Sequence, residues 1–304
     1  MTAREFEALR RRVGTWGRWG PASPRGALNH LTPDHVAGAA HLVRDGVTIS
    51  LGLPLTTHES IATPVPAQHH MTQLPDDDAE PGGLHLAKDY VGLDYHSEGH
   101  SHIDAFSHVA YDGAIYDGVP ASSVTPRGAT AGAIDLLEDG LVGRGVLLDI
   151  PGVRGVPWLE PGDDVVTADL EAAERRQGVR VGTGDILLVR TGHPRRLAEL
   201  GPWDTGEAKA GLDPRAATFL AEREIAALGS DGNNDTAPST TEGVAFPLHV
   251  LALNAMGVHL FDYLSFEDLL PRCREAGRWA FLFVAAPLRI AGGTGSPVNP
   301  IAVL

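Results

Sequence analysis

Short apolar runs recur along the chain, and they limit the possible folds more than any other feature of the sequence. Each run has about the length of one strand and is bounded by Gly, Pro or Asp, as β-strands usually are. The runs cover residues 47–51, 145–150, 185–190, 258–261 and 279–284. The sequence therefore predicts strands distributed along the chain.

Helical signals lie between these runs. Asp213 is placed to cap a helix over residues 213–223, and Pro214 occupies a first helical position, where its missing N–H costs nothing. A further helix over residues 248–256 should end at Gly257, since glycine commonly terminates helices. Together with the strands, these signals predict a mixed α/β fold.

Domain organisation follows from the composition. The chain has 304 residues, of which 43% are hydrophobic, and shows no composition break near its middle, so we expect a single domain over residues 1–304. The segment at about 54–90 differs, because it is rich in Pro, Thr, Asp and Gly and has no sustained period. We expect a long loop there, serving as a lid, a binding loop or an arm to a partner subunit. The alternative is a poorly ordered surface excursion.

The net charge narrows the range of partners. With 24 basic and 39 acidic residues the net charge is −15, which argues against nucleic acid and anionic membranes and favours a small-molecule substrate. The charged N-terminal run lacks the apolar stretch of a signal peptide. The longest apolar run, residues 279–288, is far shorter than the roughly 20 residues that span a bilayer. We therefore expect a cytoplasmic protein.

Cys273 is the only cysteine of the chain. A single cysteine excludes an internal disulfide and a thiolate cluster as a metal site. No glycine turn or histidine lies near it in the sequence, so we expect a structural role rather than a nucleophile.

Cation-binding side chains alternate along one predicted strand. Side chains two positions apart in a strand share a face and lie about 7 Å apart. The residues that would share this face are His96, Glu98, His100, His102 and Asp104. Such a face indicates a metal site; the alternative is an exposed surface where these groups hydrogen-bond one another or solvent.

The donor types restrict the metal and its chemistry. Imidazole and carboxylate without thiolate suit Zn²⁺, Mn²⁺ or Fe²⁺. A metal with an open position lowers the pKa of bound water and polarises a carbonyl group. We therefore expect a divalent cofactor, zinc or manganese, in a hydrolytic site.

The segment 101–108 resembles the second half of the motif His-x-Gly-Thr-His-x-Asp-x-x-x-His of the cyclase-like metal-dependent hydrolases, which include kynurenine formamidase, isatin hydrolase and a dienelactone hydrolase. Further segments similar to that family are residues 16–20, 26–33, 111–118 and 184–192. The resemblance implies the swivelling β/β/α fold, with a mixed sheet and flanking helices, and a homo-oligomer. It also implies hydrolysis of a small amide, lactam or lactone by metal-bound hydroxide. The alternatives are a metal-dependent cyclase or dehydratase in a biosynthetic pathway, and a binding protein with a structural metal.

One departure from the motif affects the predicted ligands. Glu98 stands where the family has its first metal histidine, and His100 stands where it has glycine. We expect the metal to be bound by His100, His102 and Asp104. Glu98 or His96 could replace one of these ligands or support them through hydrogen bonds, and the sequence does not decide between the two residues.

Three more candidates come from the resemblance. His108 aligns with the last histidine of the motif and His249 with a histidine on a downstream helix, and both are predicted to be catalytic proton carriers. Their alternative roles are stabilising the strand-to-loop junction and packing in the core. Asp262 stands where the family usually has glutamate and is predicted as a metal ligand. Its side chain is shorter than that of glutamate, so whether the site holds a second metal ion is left undecided. His259 has no assigned role.

Overall fold

A computed structural model describes residues 1–20, 23–76 and 82–304. The strands within these residues, in chain order, are β1 (Thr48–Ser50), β2 (Gln68–Gln73), β3 (Lys88–Gly92), β4 (His102–Asp104), β5 (Val124–Thr125), β6 (Gly128–Ala129), β7 (Leu141–Asp149), β8 (Asp164–Val165), β9 (Ile186–Arg190), β10 (Gly211–Leu212), β11 (Ala227–Ser230), β12 (His259–Asp262), β13 (Ala280–Ala285), β14 (Gly295–Pro297) and β15 (Ile301–Val303). Nine of them form one sheet in the order β1-β15-β13-β7-β9-β11-β12-β4-β14. Within the described part of the chain the others pair as β8 with β10, β2 with β3 and β5 with β6.

Helices flank this sheet. The α-helices of the described residues are α1 (Ala3–Val13), α2 (Pro33–Ala40), α3 (Ile150–Arg154), α4 (Thr167–Gln177), α5 (His193–Leu200), α6 (Ala217–Arg223), α7 (Pro247–His249) and α8 (Leu269–Ala276). A π-helix over Val250–Met256 continues α7, and short 3-10 helices include Phe106–His108. Helices α2 and α4 pack on β7, while α1 packs on the π-helix.

The centre of the sheet is parallel and its flanks are antiparallel. Strands β7, β9, β11 and β12 run parallel to one another. At the flanks, β13 pairs antiparallel with β7 and β15, and β4 pairs antiparallel with β12 and β14. Both faces of the centre are buried, because Val146 and Leu148 of β7 belong to one apolar cluster and Leu147 to a second. Strands buried on both faces read as continuous apolar runs. The predicted mixed α/β fold with a mixed sheet and flanking helices is confirmed.

The five predicted apolar runs coincide with β1, β7, β9, β12 and β13. The predicted helix over residues 213–223 begins as a 3-10 turn and continues as α6, and the Asp213 side chain accepts a hydrogen bond from the Arg215 N–H. Gly257, with a left-handed φ of 63°, ends the π-helix as expected. The π-helical form was not predicted; such segments are frequent at functional sites.

The predicted strand over residues 96–104 is wrong for most of its length. Only His102–Asp104 form β4. Gly99 has a φ of 83°, and a Cβ atom there would lie 2.6 Å from the Thr63 hydroxyl oxygen. The chain therefore turns at Gly99, and alternation along one face holds only for His102 and Asp104.

The segment at about 54–90, expected as a loop, includes one strand and the start of another. Strands β2 and β3 form an antiparallel ladder with almost every residue exposed. Residues 77–81 of the segment lie outside the described residues. The single domain over residues 1–304 stays a prediction. No helix of the described ranges is long and apolar enough to cross a membrane.

Candidate active site

The pairing of β4 with β12 brings the acidic and imidazole groups of distant segments together. Asp262 is the direct antiparallel partner of His102, and Asp104 lies two residues further along β4. His249 reaches the same place from the end of α7, and His96 from the turn before β4. We call His96, His102, Asp104, His249 and Asp262 the Asp104 cluster.

Asp104 lies at the centre of this cluster. Its Oδ1 is 3.0 Å from His96 Nδ1 and 3.4 Å from His102 Nε2, and its Oδ2 is 3.5 Å from His249 Nε2. The Oδ2 atom of Asp262 is 3.3 Å from His249 Nε2 and 3.9 Å from His102 Nε2. The two oxygens of Asp104 thus face two different sets of side chains.

The cluster fits a divalent cation. Asp104 is fully buried, and neither of its oxygens has a well-aligned hydrogen-bond donor among the described residues. A buried carboxylate in this state is costly unless a cation compensates it. Asp104 belongs to two groups of potential ligands. His96 and His102 complete one group, and His249 and Asp262 complete the other. Within each group the ligand atoms lie within 4.8 Å of one another.

The electrostatics of the cluster also favour a cation. Burial opposes charge on His102, but the nearby Asp104 carboxylate outweighs it and raises the pKa of His102 to about 9. Asp262 and Asp104 similarly overcome burial at His249 and raise its pKa well above the usual value. Burial would raise the pKa of Asp104, but the neighbouring histidines hold it well below the usual range. The Asp104 carboxylate therefore stays charged and attracts protons or a metal ion.

Hydrogen bonds orient the side chains of the cluster. His249 Nδ1 lies 2.5 Å from Oδ2 of Asp235, whose oxygens also accept the N–H groups of residues 248 and 249. Asn233 and Asn234 donate through Nδ2 to the two oxygens of Asp262. His102 Nδ1 lies 2.8 Å from the carbonyl oxygen of residue 100. Because Nδ1 is occupied in both imidazoles, Nε2 of each is left to face the cluster.

His100, predicted as a metal ligand, is not brought to the Asp104 cluster. Its Nε2 lies 2.9 Å from the carbonyl oxygen of Val65. The turn at Gly99 breaks the alternation that would have aligned His100 with His102. His96 approaches Asp104 instead, so the geometry favours His96 over His100 as a ligand.

Glu98 is also held away from the cluster. Lys209 Nζ lies 3.0 Å from its Oε1, and the hydroxyl groups of Thr205 and Tyr263 donate to its Oε2. Of the two substitutes left open by the sequence, His96 reaches the cluster and Glu98 does not.

His108 lies at the edge of the cluster. Its ring stacks on that of His96, with centroids 3.9 Å apart, and lies 6.3 Å from the ring of His249. Burial lowers the pKa of His108 to about 4, although the Asp104 carboxylate acts in the opposite direction. A neutral imidazole beside the cluster can accept a proton, as the sequence predicts.

Sequence reasoning missed the supporting residues Asn233, Asn234 and Asp235. They follow the carboxyl end of β11, and α/β proteins commonly bind ligands at the carboxyl ends of their strands. Their position after a predicted strand could therefore have indicated a role in the site. The sequence also indicated no role for His259. In the structure its Nδ1 lies 2.7 Å from the carbonyl oxygen of Asp104. Burial lowers the pKa of His259 to about 4, so this imidazole is a neutral support for β4.

The chain is similar to known proteins in sequence and in fold. The sequence pattern of the Cyclase family ("Putative cyclase") matches residues 47–234. The chain belongs to this family, and the predicted resemblance is confirmed.

Individual relatives extend the match to the whole fold. A crystal structure of a novel cyclase is 30% identical, with a TM-score of 0.87 over 97% of this chain and 99% of that chain. Isatin hydrolase of Roseibium aggregatum is 28% identical over 147 residues, which are 47% of this chain and 53% of the relative, so the match spans about half the length of that protein. An isatin hydrolase bound to the product analogue thioisatinate is 22% identical, with a TM-score of 0.61 over 87% of this chain and 94% of that chain. The last of these supports the fold alone.

Proposed function

We propose that the protein is a metal-dependent hydrolase of a small amide, lactam or lactone. The observation that carries this proposal is the buried Asp104, whose oxygens lack well-aligned donors among the described residues and face His96 and His102 on one side and His249 on the other. The similarity to isatin hydrolase supports hydrolysis as the reaction.

Two groups of side chains would hold the metal. His96, His102 and Asp104 form one, and Asp104, His249 and Asp262 form the other, so one or two ions fit. A divalent cation such as zinc or manganese, when bound, would polarise the substrate carbonyl and make water more acidic. His249, predicted as catalytic, would instead be one of the residues that hold the metal, with its Nε2 facing the cluster and its Nδ1 bonded to Asp235.

Proton transfer falls to His108. Its imidazole is neutral at pH 7, because burial lowers its pKa to about 4, so one ring nitrogen can accept a proton from water. Returning that proton to the leaving group completes the hydrolysis. Stacking on His96 fixes the ring at the edge of the cluster, where a substrate can approach.

The cluster is open on one side, which favours catalysis over a structural metal. The His96 side chain is 20% exposed, whereas His102, Asp104, His249 and Asp262 are buried. Structural sites fill all metal positions with protein ligands, while catalytic sites keep one position accessible.

An activity screen with and without a chelator tests the proposal. The panel contains formamides, lactams including isatin, and lactones, and products are identified by mass. We expect addition of water to at least one compound, loss of that activity on chelation, and recovery with zinc or manganese. Cyclised or dehydrated products would favour the cyclase or dehydratase alternative, and activity that survives complete metal removal would contradict the proposal.

The partners follow from the same reasoning. We propose a small-molecule substrate and a homo-oligomer. The exposed ladder of β2 and β3, which carries Met71, Tyr90 and Val91, is the surface where we expect this contact. Sedimentation of the purified protein as a monomer at micromolar concentration would contradict the oligomer.

A further inference from the structure

Glu98 lies beside the Asp104 cluster without belonging to it. Its carboxylate accepts hydrogen bonds from the hydroxyl groups of Thr205 and Tyr263 and pairs with Lys209. The side chains of Lys209 and Tyr263 are buried, so these partners hold Glu98 in a fixed position. Lys209 has no other acidic partner among the described residues, so its buried ammonium group is paired with Glu98 alone.

Two aromatic residues connect this pair to the cluster. Tyr263 directly follows Asp262 and has a φ of 54°, and its ring lies 6.5 Å from that of His102. On the other side, the ring of Phe246 lies 5.8 Å from Lys209 Nζ and 5.8 Å from the ring of His249. Tyr263 and Phe246 thus form a continuous surface between the Asp104 cluster and the pair of Glu98 and Lys209.

Glu98 is the accessible member of the group. Its side chain is 24% exposed, against 1% for Lys209. An ionised carboxylate has about four acceptor positions, and the described residues supply three donors. One acceptor position is therefore left on a fixed, charged and accessible carboxylate near the cluster.

We propose that Glu98 accepts a hydrogen bond from an N–H group of the substrate, and so makes the enzyme selective for amides and lactams with a free N–H over esters and lactones. The proposal rests on the proposed function. An amide N–H donates to the carboxylate, whereas the ring oxygen of a lactone presents only lone pairs to it. A site built to bond an N–H group rejects an analogue that lacks it, because the carboxylate loses its partner.

Binding to matched pairs of probes tests this selectivity without requiring turnover. Oxindole has a ring N–H where 2-coumaranone has a ring oxygen, and formanilide has an N–H where N-methylformanilide has an N–CH3 group. Affinities are measured by calorimetry on the metal-loaded protein. We expect the wild type to bind the N–H member at least about tenfold more tightly in one or both pairs, because a hydrogen bond to a charged group typically contributes at least that much to affinity.

Glu98→Gln is the test variant, because glutamine keeps the size of the side chain and an oxygen for Lys209. We expect the preference to fall below about threefold while the metal content stays near that of the wild type. The thermal midpoint should fall, because the buried Lys209 loses its carboxylate partner. Glu174→Gln is the matched control, since Glu174 pairs with Arg223 in a part of the structure away from the cluster. It should keep the full preference.

The outcomes separate this proposal from the proposed function. Equal affinities within both pairs in the wild type, absence of any binding by the N–H members, or a preference that survives in Glu98→Gln would overturn the role of Glu98. Hydrolytic activity and metal content are measured on the same samples, so a protein that hydrolyses its substrates without N–H preference refutes only the inference about Glu98.

Discussion

The imidazole rings of His96 and His108 lie face to face, with centroids 3.9 Å apart and planes 4° from parallel. Two stacked imidazoles repel each other when both are charged, and His96 contributes to the lowered pKa of His108. If His96 binds a metal ion, the positive charge beside His108 increases further. Burial, together with this stack, therefore keeps His108 neutral, which leaves a ring nitrogen free to accept a proton.

His108→Gln tests this role. Loss of a general acid-base group typically costs about 10² to 10⁴ in rate, so we expect kcat to fall within that range while bound metal is retained. Steady-state kinetics and elemental analysis of the same preparation measure both quantities. Near-normal turnover would return His108 to a structural role, and complete loss of metal would make it a ligand.

His96→Ala and His100→Ala distinguish the two candidate histidines. His96 Nδ1 lies 3.0 Å from Asp104, whereas His100 bonds to the carbonyl oxygen of Val65. We expect His96→Ala to weaken zinc binding at least about tenfold, as loss of a ligand does, and His100→Ala to weaken it much less. Competition with a chromophoric chelator measures both affinities. The reverse order would restore His100 as the ligand that the sequence predicts.

His102→Ala and Asp104→Ala should each abolish hydrolysis and reduce bound metal, because both residues lie in the same set of ligand atoms. Cys273→Ser is the control. Burial raises the pKa of the Cys273 thiol to about 12, so this thiol is inert at neutral pH. If the serine variant were the inactive one, a thiol nucleophile would replace the metal mechanism.

Metal binding should release protons and strengthen as the pH rises. Without metal, the pKa of His102 is raised to about 9 despite burial, chiefly by Asp104, so the imidazole is protonated at pH 7 and must lose its proton to bind a metal. Because the folded pKa exceeds the usual 6.5, the stability that this interaction gives the metal-free protein is complete below pH 6.5 and lost as the pH rises through about 9.

Calorimetric zinc titrations between pH 6 and 9, in buffers with different ionisation enthalpies, count the released protons. Thermal midpoints of the metal-free protein over the same range should fall toward pH 9. Zinc affinity that is independent of pH would show that His102 is already neutral and would contradict this interpretation.

The sheet was predictable because its central strands are buried on both faces and therefore read as continuous apolar runs, such as residues 185–190. His102 and Asp104 were predicted from the alternating polar face, and Asp262 from the resemblance to the family. The pairing of β4 with β12, which depends on contacts between distant segments, was not visible in the sequence.

The choice between His96, Glu98 and His100 depended on the turn at Gly99. A strand through this segment would have placed all three side chains on one face, and Gly99 itself was the local signal against it, because an isolated glycine in a strand pattern often marks a bulge. Lys209, which pairs with Glu98, is 111 residues away in the sequence. Such long-range contacts decide which side chains lie in the Asp104 cluster, and they appear only when the chain is folded.

Elemental analysis of the purified protein tests the central claim most directly. Because the Asp104 cluster buries carboxylates that a cation compensates, we predict at least about one equivalent of a divalent transition metal per chain, as purified or after reconstitution. The Asp104→Ala protein should contain much less. A content below about a tenth of an equivalent, with no gain on reconstitution with zinc or manganese, would contradict the account.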